Sequence, residues 1–284
     1  MTMNINRRNF LKQSASLAAM ALITNDLHAK GSLRGTLKQF GCQLYSIRDV
    51  LPKDPKNYMK QLADMGYTYF ESYSKDPFWG MTPKDAKAYL GDIGVKMVST
   101  HLGLPDTNEE MIAKCAEGGL KYVICPGIGM QPSADAWKQK AEAFTKNGEI
   151  CKKYGLRYGY HNHSYSFQNA NGVKGQRILL ENTDPSIVCF ELDMCWSEAA
   201  GENSIEHLKQ YGNRYELCHI KQLSTKDPKP KQTDLASGII DYKGLLRAAK
   251  DSGIKYFLVE QEQYPIGPIE SMKSDAIYLK GLKF

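Results

Sequence analysis

The stretch Tyr154-Gly155-Leu156-Arg157-Tyr158-Gly159-Tyr160-His161-Asn162-His163 joins the end of a helix to a β strand that finishes on two histidines. Gly155 directly follows the amphipathic stretch Ser133–Tyr154, and a glycine just past a helix adopts the left-handed conformation at little cost. The segment Arg157–His163 then has the short, aromatic-rich character of a strand. A helix that returns through a glycine to a strand is the repeated unit of an α/β protein.

The same pattern recurs along the chain, where short β-rich runs alternate with amphipathic helical stretches. The eight predicted strands are Gly41–Arg48, Tyr67–Tyr73, Lys96–Leu102, Tyr122–Pro126, Arg157–His163, Val188–Asp193, Glu216–Gln222 and Tyr256–Glu262. The predicted helices include Pro55–Met65, Pro83–Ile93, Ser133–Tyr154 and Tyr242–Ser252. Eight such units without an interruption predict a closed (β/α)8 TIM barrel, a single domain over residues 30–284. An open doubly wound sheet is the alternative, but Gln43–Arg48 is not the Gly-rich loop that it would need after the first strand.

Residues 1–29 have the features of a Tat-type signal peptide. Arg7-Arg8 precedes Phe10-Leu11-Lys12, and the apolar run Ser14–Ile23 is too short to span a bilayer. An imperfect cleavage site follows at Ala29. We therefore expect an exported, periplasmic protein with no stable membrane association, whose remaining residues suit one barrel of ~250 residues.

Composition excludes several classes of protein. Hydrophobic residues at 42% and charged residues at 24% are ordinary globular values. The net charge is +6, but the basic residues are scattered apart from the run Lys226–Lys231, which we interpret as a solvated loop. Neither a nucleic-acid partner nor a membrane-surface helix is predicted. The seven cysteines form no CxxC pair and are predicted to be buried thiols.

Reactive side chains concentrate at the predicted ends of strands, where the active sites of such barrels lie. Four of the five histidines after the leader and four acids are found there: His101, His161, His163, His219, Glu71, Asp193, Glu260 and Glu262. Side chains alternate along a strand. The pairs that share a face are therefore His161 with His163, Glu191 with Asp193, His219 with Lys221, and Glu260 with Glu262. One inward residue from each of strands 5 to 8 would converge near the barrel axis.

This mixture of histidines and carboxylates predicts a site for one divalent metal ion, which could be Mn²⁺, Zn²⁺, Co²⁺ or Mg²⁺. Such an ion lowers the cost of removing a proton from the carbon next to a carbonyl group. Aromatic side chains near the strand ends either pack in loops or form a wall for a sugar ring. Among them we favour Tyr45, Trp79 and Trp196 as substrate contacts, the two tryptophans because each lies in a loop after a strand.

In this order and at this spacing, the strand-end motifs resemble the xylose-isomerase-like TIM barrels, which are commonly called sugar phosphate isomerases/epimerases. The resemblance covers Phe40–Leu279. Its markers are Gln43–Asp49, Ser99-Thr100-His101, Tyr160–His163, Glu191-Leu192-Asp193 with Trp196 and Gly201, His219-Ile220-Lys221 and Val259-Glu260-Gln261.

The resemblance implies one divalent ion held by ligands on strands 5 to 8. Carried over by position, these ligands are His161 or His163, Asp193, His219 and Glu260. In the ketose 3-epimerases of this superfamily the strand-5 ligand is a glutamate, and the histidine found here is more similar to the inositol-pathway dehydratases. A second departure is Gln222, which stands where an aspartate usually follows His-x-Lys.

The function that we expect first is an isomerase or epimerase that removes a proton next to the carbonyl of a sugar or keto-sugar and forms an enediolate. Glu260, His161 or His163 would move the proton, while Lys221, His101, Glu71 and Glu262 would contact the substrate or protonate its oxygen. The alternative is a lyase or hydratase that acts on a keto-sugar or 3-keto-glycoside through the same intermediate. A non-catalytic periplasmic sugar-binding protein has no use for so many acids and histidines, and a nuclease would need more clustered positive charge. The expected partner is a small carbohydrate, bound by a monomer or a homo-oligomer.

Overall fold

The barrel is closed by eight parallel strands in the computed structural model, which describes residues 35–170 and 172–284. The strands of the barrel are β1 (Gly41–Gln43), β2 (Tyr69–Tyr73), β3 (Lys96–His101), β4 (Tyr122–Cys125), β5 (Arg157–His161), β8 (Val188–Asp193), β9 (Tyr215–Ile220) and β12 (Tyr256–Val259). Their order around the barrel follows the sequence, and β1 pairs with both β2 and β12. The predicted (β/α)8 fold is confirmed, whereas the predicted leader lies outside the described residues.

Two small hairpins interrupt the alternation of strands and helices. One pairs β6 (Asn169–Ala170) with β7 (Val173–Lys174), and the other pairs β10 (Gln222–Thr225) with β11 (Lys231–Thr233). The second hairpin was not expected from the sequence, and its tip carries the basic run Lys226–Lys231.

Ten α helices pack around the barrel or cap its loops within the described part of the chain. They are α1 (Pro55–Asp64), α2 (Pro83–Asp92), α3 (Glu109–Glu117), α4 (Ala134–Lys153), α5 (Ser164–Phe167), α6 (Gly175–Glu181), α7 (Met194–Ala199), α8 (Ser204–Tyr211), α9 (Tyr242–Asp251) and α10 (Pro268–Gly281). Several begin at a residue whose side chain accepts a hydrogen bond from the third backbone N–H of the helix, as Thr82 and Ser133 do. Gly155 ends the turn after α4 at a φ of 71°, which confirms the predicted role of that glycine.

Four predicted strands extend two or more residues past their observed carboxyl ends, namely those that correspond to β1, β5, β9 and β12. The first ends at Gln43 and continues as a 3-10 helix over Leu44–Ile47, because the Gln43 side chain accepts a hydrogen bond from the backbone N–H of Tyr45. Strand β5 ends at His161 and β12 ends at Val259, where their pairing with the neighbouring strands stops. His163, Glu260 and Glu262 therefore lie on the loops just beyond the strands.

The barrel interior is apolar at its lower end, where the strands begin. A cluster of buried side chains fills it: Tyr69, Val98, Tyr122, Ile124, Cys189, Leu217 and Leu258. A larger core lies between the strands and the surrounding helices. All seven cysteines are buried and free, as predicted. Among the described residues, none of the helices is both long and apolar enough to cross a membrane.

Candidate active site

The side chains that face the barrel interior change from apolar to charged toward the carboxyl ends of the strands. Two residues beyond four members of the apolar cluster, the same strand face presents a charged or imidazole group: Glu71 follows Tyr69, Glu191 follows Cys189, His219 follows Leu217 and Glu260 follows Leu258. A further step of two residues brings Asp193, Lys221 and Glu262. The polar end of the barrel is the carboxyl end of the strands, where the sequence predicts the site.

Three of these side chains join His161, at the end of β5, in a group that we call the upper donor group: His161, Asp193, His219 and Glu260. Each offers a ligand atom, and these atoms all lie within 4.8 Å of one another. The separation is 3.0 Å between His219 Nδ1 and Glu260 Oε2, and 3.4 Å between His161 Nε2 and Asp193 Oδ2. Metal–ligand bonds of ~2.1 Å place neighbouring ligand atoms ~3.0–3.5 Å apart, so the spacing suits one divalent ion.

The hydrogen bonds of the upper donor group also fit a metal ion. His161 Nδ1 lies 3.2 Å from the carbonyl oxygen of Pro126, so Nδ1 carries the proton and Nε2 keeps the lone pair. Within the described part of the chain, His161 Nε2 is buried without a hydrogen bond, and Asp193 Oδ2 lies 3.0 Å from the ammonium of Lys221. Asn162 fixes the backbone of Asp193 through two hydrogen bonds of 3.0 and 3.1 Å.

Glu71, His101, Glu191 and His219 form a second cluster, which we call the lower group and which shares His219 with the first. His101 Nε2 lies 3.0 Å from Glu71 Oε1 and 2.8 Å from Glu191 Oε2. His219 Nε2 lies 2.8 Å from the same oxygen of Glu71. The side chain of Gln43, which faces Glu71 across neighbouring strands, donates a hydrogen bond of 2.8 Å to that oxygen.

Lys221 places a buried positive charge beside the upper donor group. Its Nζ lies 2.6 Å from Glu260 Oε2, 3.0 Å from Asp193 Oδ2 and 2.5 Å from Glu262 Oε1. Burial disfavours the ammonium form, but the three carboxylates outweigh this effect and raise the pKa of Lys221 well above its usual value. Lys221 therefore remains charged.

A cavity of about 480 Å³ opens above these groups. Its lining includes six of the predicted site residues, namely Tyr45, His101, His161, His163, Glu260 and Glu262. The volume lies within the range of ~300–1,000 Å³ that is typical of small-molecule sites. Of the other predicted residues, Glu71, Asp193 and His219 belong to the two clusters, and Lys221 contacts Asp193 and Glu260 of the upper donor group.

Neither of the two tryptophans that were predicted to contact a substrate lines the cavity, and their contact with a substrate stays a prediction. Trp79, at a φ of 58°, turns back toward its own strand and donates a hydrogen bond to Ser72 Oγ. The Trp196 ring stacks on His163 at 6.0 Å and donates to Glu262. The aromatic wall consists instead of Tyr45 and Tyr73, whose rings meet edge to face at 5.1 Å.

The two histidines that line the cavity without belonging to the upper donor group have opposite environments. Burial disfavours the charged form of His101, but the carboxylates of Glu71 and Glu191 outweigh it and raise the pKa of His101 to about 9. Burial lowers the pKa of His163 to about 4, and the positive charge of Lys221 acts in the same direction. At neutral pH, therefore, His101 is protonated and His163 is neutral.

Sequence reasoning missed the roles of three residues. Glu191 was seen to share a face with Asp193 but was not assigned to the site, although an acid two residues before a predicted ligand was the available signal. Lys75 and Asp106 form an ion pair of 3.1 Å at the cavity rim. Lys75 lies in the loop after β2 and Asp106 ends a 3-10 helix after β3, and the strand pattern does not fix the conformation of either connection.

The fold and the site together define an α/β barrel with a candidate metal centre at the carboxyl ends of its strands. Residues 59–284 match the model of the family described as xylose isomerase-like TIM barrel, and the chain belongs to that family. The predicted resemblance is thus confirmed.

Two of the relatives described next carry the names of enzymes, and the third is a protein with a bound zinc atom. Inosose dehydratase from Clostridium perfringens (strain ATCC 13124) is 26% identical over 82% of this chain and 83% of its own length. The crystal structure of a sugar phosphate isomerase/epimerase from Parabacteroides distasonis is 28% identical, with a TM-score of 0.74 over 87% of this chain and 95% of that one. The IOLI protein with a bound zinc atom shares the fold at 17% identity, with a TM-score of 0.69 over 85% of this chain and 96% of that one.

Proposed function

We propose that this protein is a metal-dependent carbon–oxygen lyase that acts on a keto-sugar or a related cyclic ketone. The observation that carries the proposal is the upper donor group at the floor of a cavity that also presents two further histidines in opposite environments. A lyase of this kind needs one group that takes a proton from carbon and another that gives a proton to the departing oxygen.

The residues that would hold the ion are His161 through Nε2, Asp193, His219 and Glu260. When bound, a divalent ion would polarise the carbonyl group and make the adjacent C–H bond more acidic. The donor set of two imidazoles and two carboxylates is compatible with Zn²⁺, Mn²⁺ or Co²⁺.

His163 is the base in this proposal. Its ring is stacked on Tyr165 at 5.6 Å and on Trp196 at 6.0 Å, which fixes its orientation at the cavity wall. His163 Nδ1 is buried without a hydrogen bond to the described residues, so Nε2 is the nitrogen that would face a substrate in the cavity. An imidazole in such surroundings is neutral and able to accept the proton of the C–H bond next to the carbonyl.

His101 is the acid. Its Nε2 lies between the carboxylates of Glu71 and Glu191, which favour the imidazolium form, and its ring lines the cavity. As the C–H bond breaks, its electron pair forms a carbon–carbon double bond and the neighbouring C–O bond breaks. The departing oxygen takes a proton from His101 and leaves as water or as an alcohol, while His163 holds the proton from carbon.

Epimerisation is the second candidate. It needs a group that returns the proton on the opposite face of the substrate, and Glu260 lines the cavity as a carboxylate for that purpose. The Parabacteroides relative carries an epimerase name, whereas the curated relatives include inosose dehydratases from several bacteria. The dehydratase names and the acid–base pair of histidines favour the lyase.

Proton NMR in D₂O on the metal-loaded enzyme would separate these functions. The candidate substrates are keto-sugars, keto-cyclitols and 3-keto-glycosides, with Asp193→Asn as the inactive control. A lyase releases water or an aglycone and yields an unsaturated ketone. Deuterium uptake at the carbon next to the carbonyl, without cleavage, would favour the epimerase. Saturable binding with neither exchange nor cleavage would refute both and leave a sugar-binding protein.

A further inference from the structure

We infer that Glu71 is a positioning residue that fixes which nitrogen of His219 binds the metal ion. The inference rests on the metal site of the proposed function, but not on the reaction or its substrate. It changes the role of Glu71 from the substrate contact that the sequence suggested to a partner of a metal ligand.

The upper donor group and the lower group both include His219, and each contacts a different nitrogen of its ring. Nδ1 faces Glu260 Oε2 at 3.0 Å, and Nε2 faces Glu71 Oε1 at 2.8 Å. A neutral imidazole has one nitrogen with a lone pair and one that carries hydrogen. Neutral His219 can therefore serve a metal ion in only one of the two groups.

Access to the cavity favours the upper donor group over the lower group as the site of the metal ion. Two of its members, His161 and Glu260, line the cavity, so an ion there retains open positions for a substrate. In the lower group only His101 lines the cavity, and its Nε2 is already engaged by two carboxylates. Buried oxygens of Glu71 and Glu191 also lack hydrogen bonds within the described part of the chain, yet an ion beside them would be closed off from the substrate.

Glu71 then accepts the Nε2–H of His219, which leaves the lone pair on Nδ1. A carboxylate behind a metal-bound histidine orients the ring and makes the ligand more basic. Glu71 is itself held by the amide of Gln43, which donates to the same oxygen at 2.8 Å. The rings of His219 and His101 stack at 5.4 Å with only 19° between their planes, which restricts rotation of His219.

The test measures zinc binding in the absence of any substrate. Glu71→Gln and Glu71→Ala should each bind zinc ~10–100-fold more weakly than the wild type, the effect typical of losing such a partner. X-ray absorption of the zinc-loaded variants should still report two imidazole and two carboxylate ligands, because Glu71 itself is not a ligand. The matched control is Glu216→Gln, on the same strand as His219 but paired with Arg157 and Lys255. Its zinc affinity should match the wild type.

Nitrogen-15 NMR is measured on the zinc-loaded wild type, so its result does not depend on whether the variants fold. His219 should show hydrogen on Nε2 and metal on Nδ1, and the reverse assignment would overturn the inference. Unchanged zinc affinity in both Glu71 variants would also overturn it. Loss of zinc from Glu71→Gln together with full binding by Asp193→Asn would place the ion in the lower group. Inactivity toward every ketone would refute the proposed function and leave these measurements intact.

Discussion

Replacing Lys221 with methionine should destabilise the metal-free protein and strengthen its binding of a divalent ion. The Lys221 side chain is fully buried, and its ammonium contacts the carboxylates of Asp193, Glu260 and Glu262 at 2.5 to 3.0 Å. Methionine keeps an unbranched chain of similar length and removes the charge. The carboxylates then lose the positive group that they share in the absence of metal.

The expected loss of stability follows from the burial of these charges. Removing one partner of a buried ion pair costs ~3–5 kcal/mol, because the other partner is left uncompensated. For a domain of ~150–250 residues, each kcal/mol lowers Tm by ~2–4 °C. The metal-free Lys221→Met protein should therefore unfold ~6–20 °C below the wild type.

Metal binding should change in the opposite direction. Asp193 and Glu260 belong to the upper donor group, so in the wild type a divalent ion must share them with the Lys221 ammonium. Removing that ammonium relieves the repulsion between two cations, and relief of 1.4 kcal/mol corresponds to a tenfold gain in affinity. We expect zinc affinity to rise by about tenfold or more, so that saturating zinc restores much of the lost stability.

Thermal melts in EDTA and in saturating zinc, with zinc affinity from competition against a chromophoric chelator, test both effects. The matched control is Lys226→Met, whose side chain is 38% exposed and lies 3.5 Å from Glu198. That surface pair should contribute little to either quantity. A metal-free Lys221→Met protein as stable as the wild type, or one that binds zinc more weakly, would refute the reasoning.

Three other perturbations test separate parts of the account. His163→Gln should lower C–H exchange with D₂O by ~10²–10⁴-fold and leave zinc binding intact, since His163 lies outside the upper donor group; near-normal exchange would move the base elsewhere. Burial, followed by the charge of Asp234, raises the pKa of Asp275 from 3.8 to about 8. The folded protein therefore holds this proton more tightly, and its stability should fall by ~1.4 kcal/mol per pH unit between about pH 4 and 8. Urea titrations of Asp275→Asn should lack that component of the slope. If the leader directs Tat export, replacing Arg7 and Arg8 with lysine should trap the uncleaved precursor in the cytoplasm. Periplasmic accumulation of this double variant, seen by immunoblot of cell fractions, would contradict the Tat assignment.

The fold was predictable because the sequence of each strand and helix carries its own short-range signal. Glycine after a helix and a β-rich run after the glycine are short-range signals, and they recur through the barrel. Strand ends were less predictable because they depend on partners. Strand β12 stops at Val259, and its last paired neighbours are Cys42 and Ile220, which are far away in the sequence. The 3-10 helix over Leu44–Ile47 depends on a side-chain hydrogen bond, which the strand pattern does not encode.

The site was predictable to the extent that it follows strand alternation. Alternation could not separate His161 from His163, because both lie on one face of the predicted strand. The structure separates them because β5 ends at His161, whereas His163 lies beyond the strand and its ring stacks on Tyr165 and Trp196. The orientation of Trp79 also depends on the loop conformation, since that residue has a positive φ.

The charge of the upper donor group explains the position of Lys221. Two carboxylates and two neutral imidazoles carry two negative charges, which one divalent ion would balance. A glutamate in place of His161 would add a third negative charge, and Lys221 would then be needed to compensate it. With His161 present, a bound ion would balance the charges of Asp193 and Glu260, and the Lys221 ammonium would keep Glu262, which lies 2.5 Å away, as its partner.

The same histidine bears on the reaction. A strand-5 carboxylate would supply a second anionic base opposite Glu260, as proton transfer between the two faces of one carbon requires. His161 Nε2 is instead directed into the upper donor group by the hydrogen bond from Nδ1 to Pro126. The proton-transfer groups that remain at the cavity wall are neutral His163 and charged His101, one ready to accept a proton and the other ready to donate one. Groups whose environments separate their protonation states in this way are suited to removing a proton from carbon and delivering another to a departing oxygen.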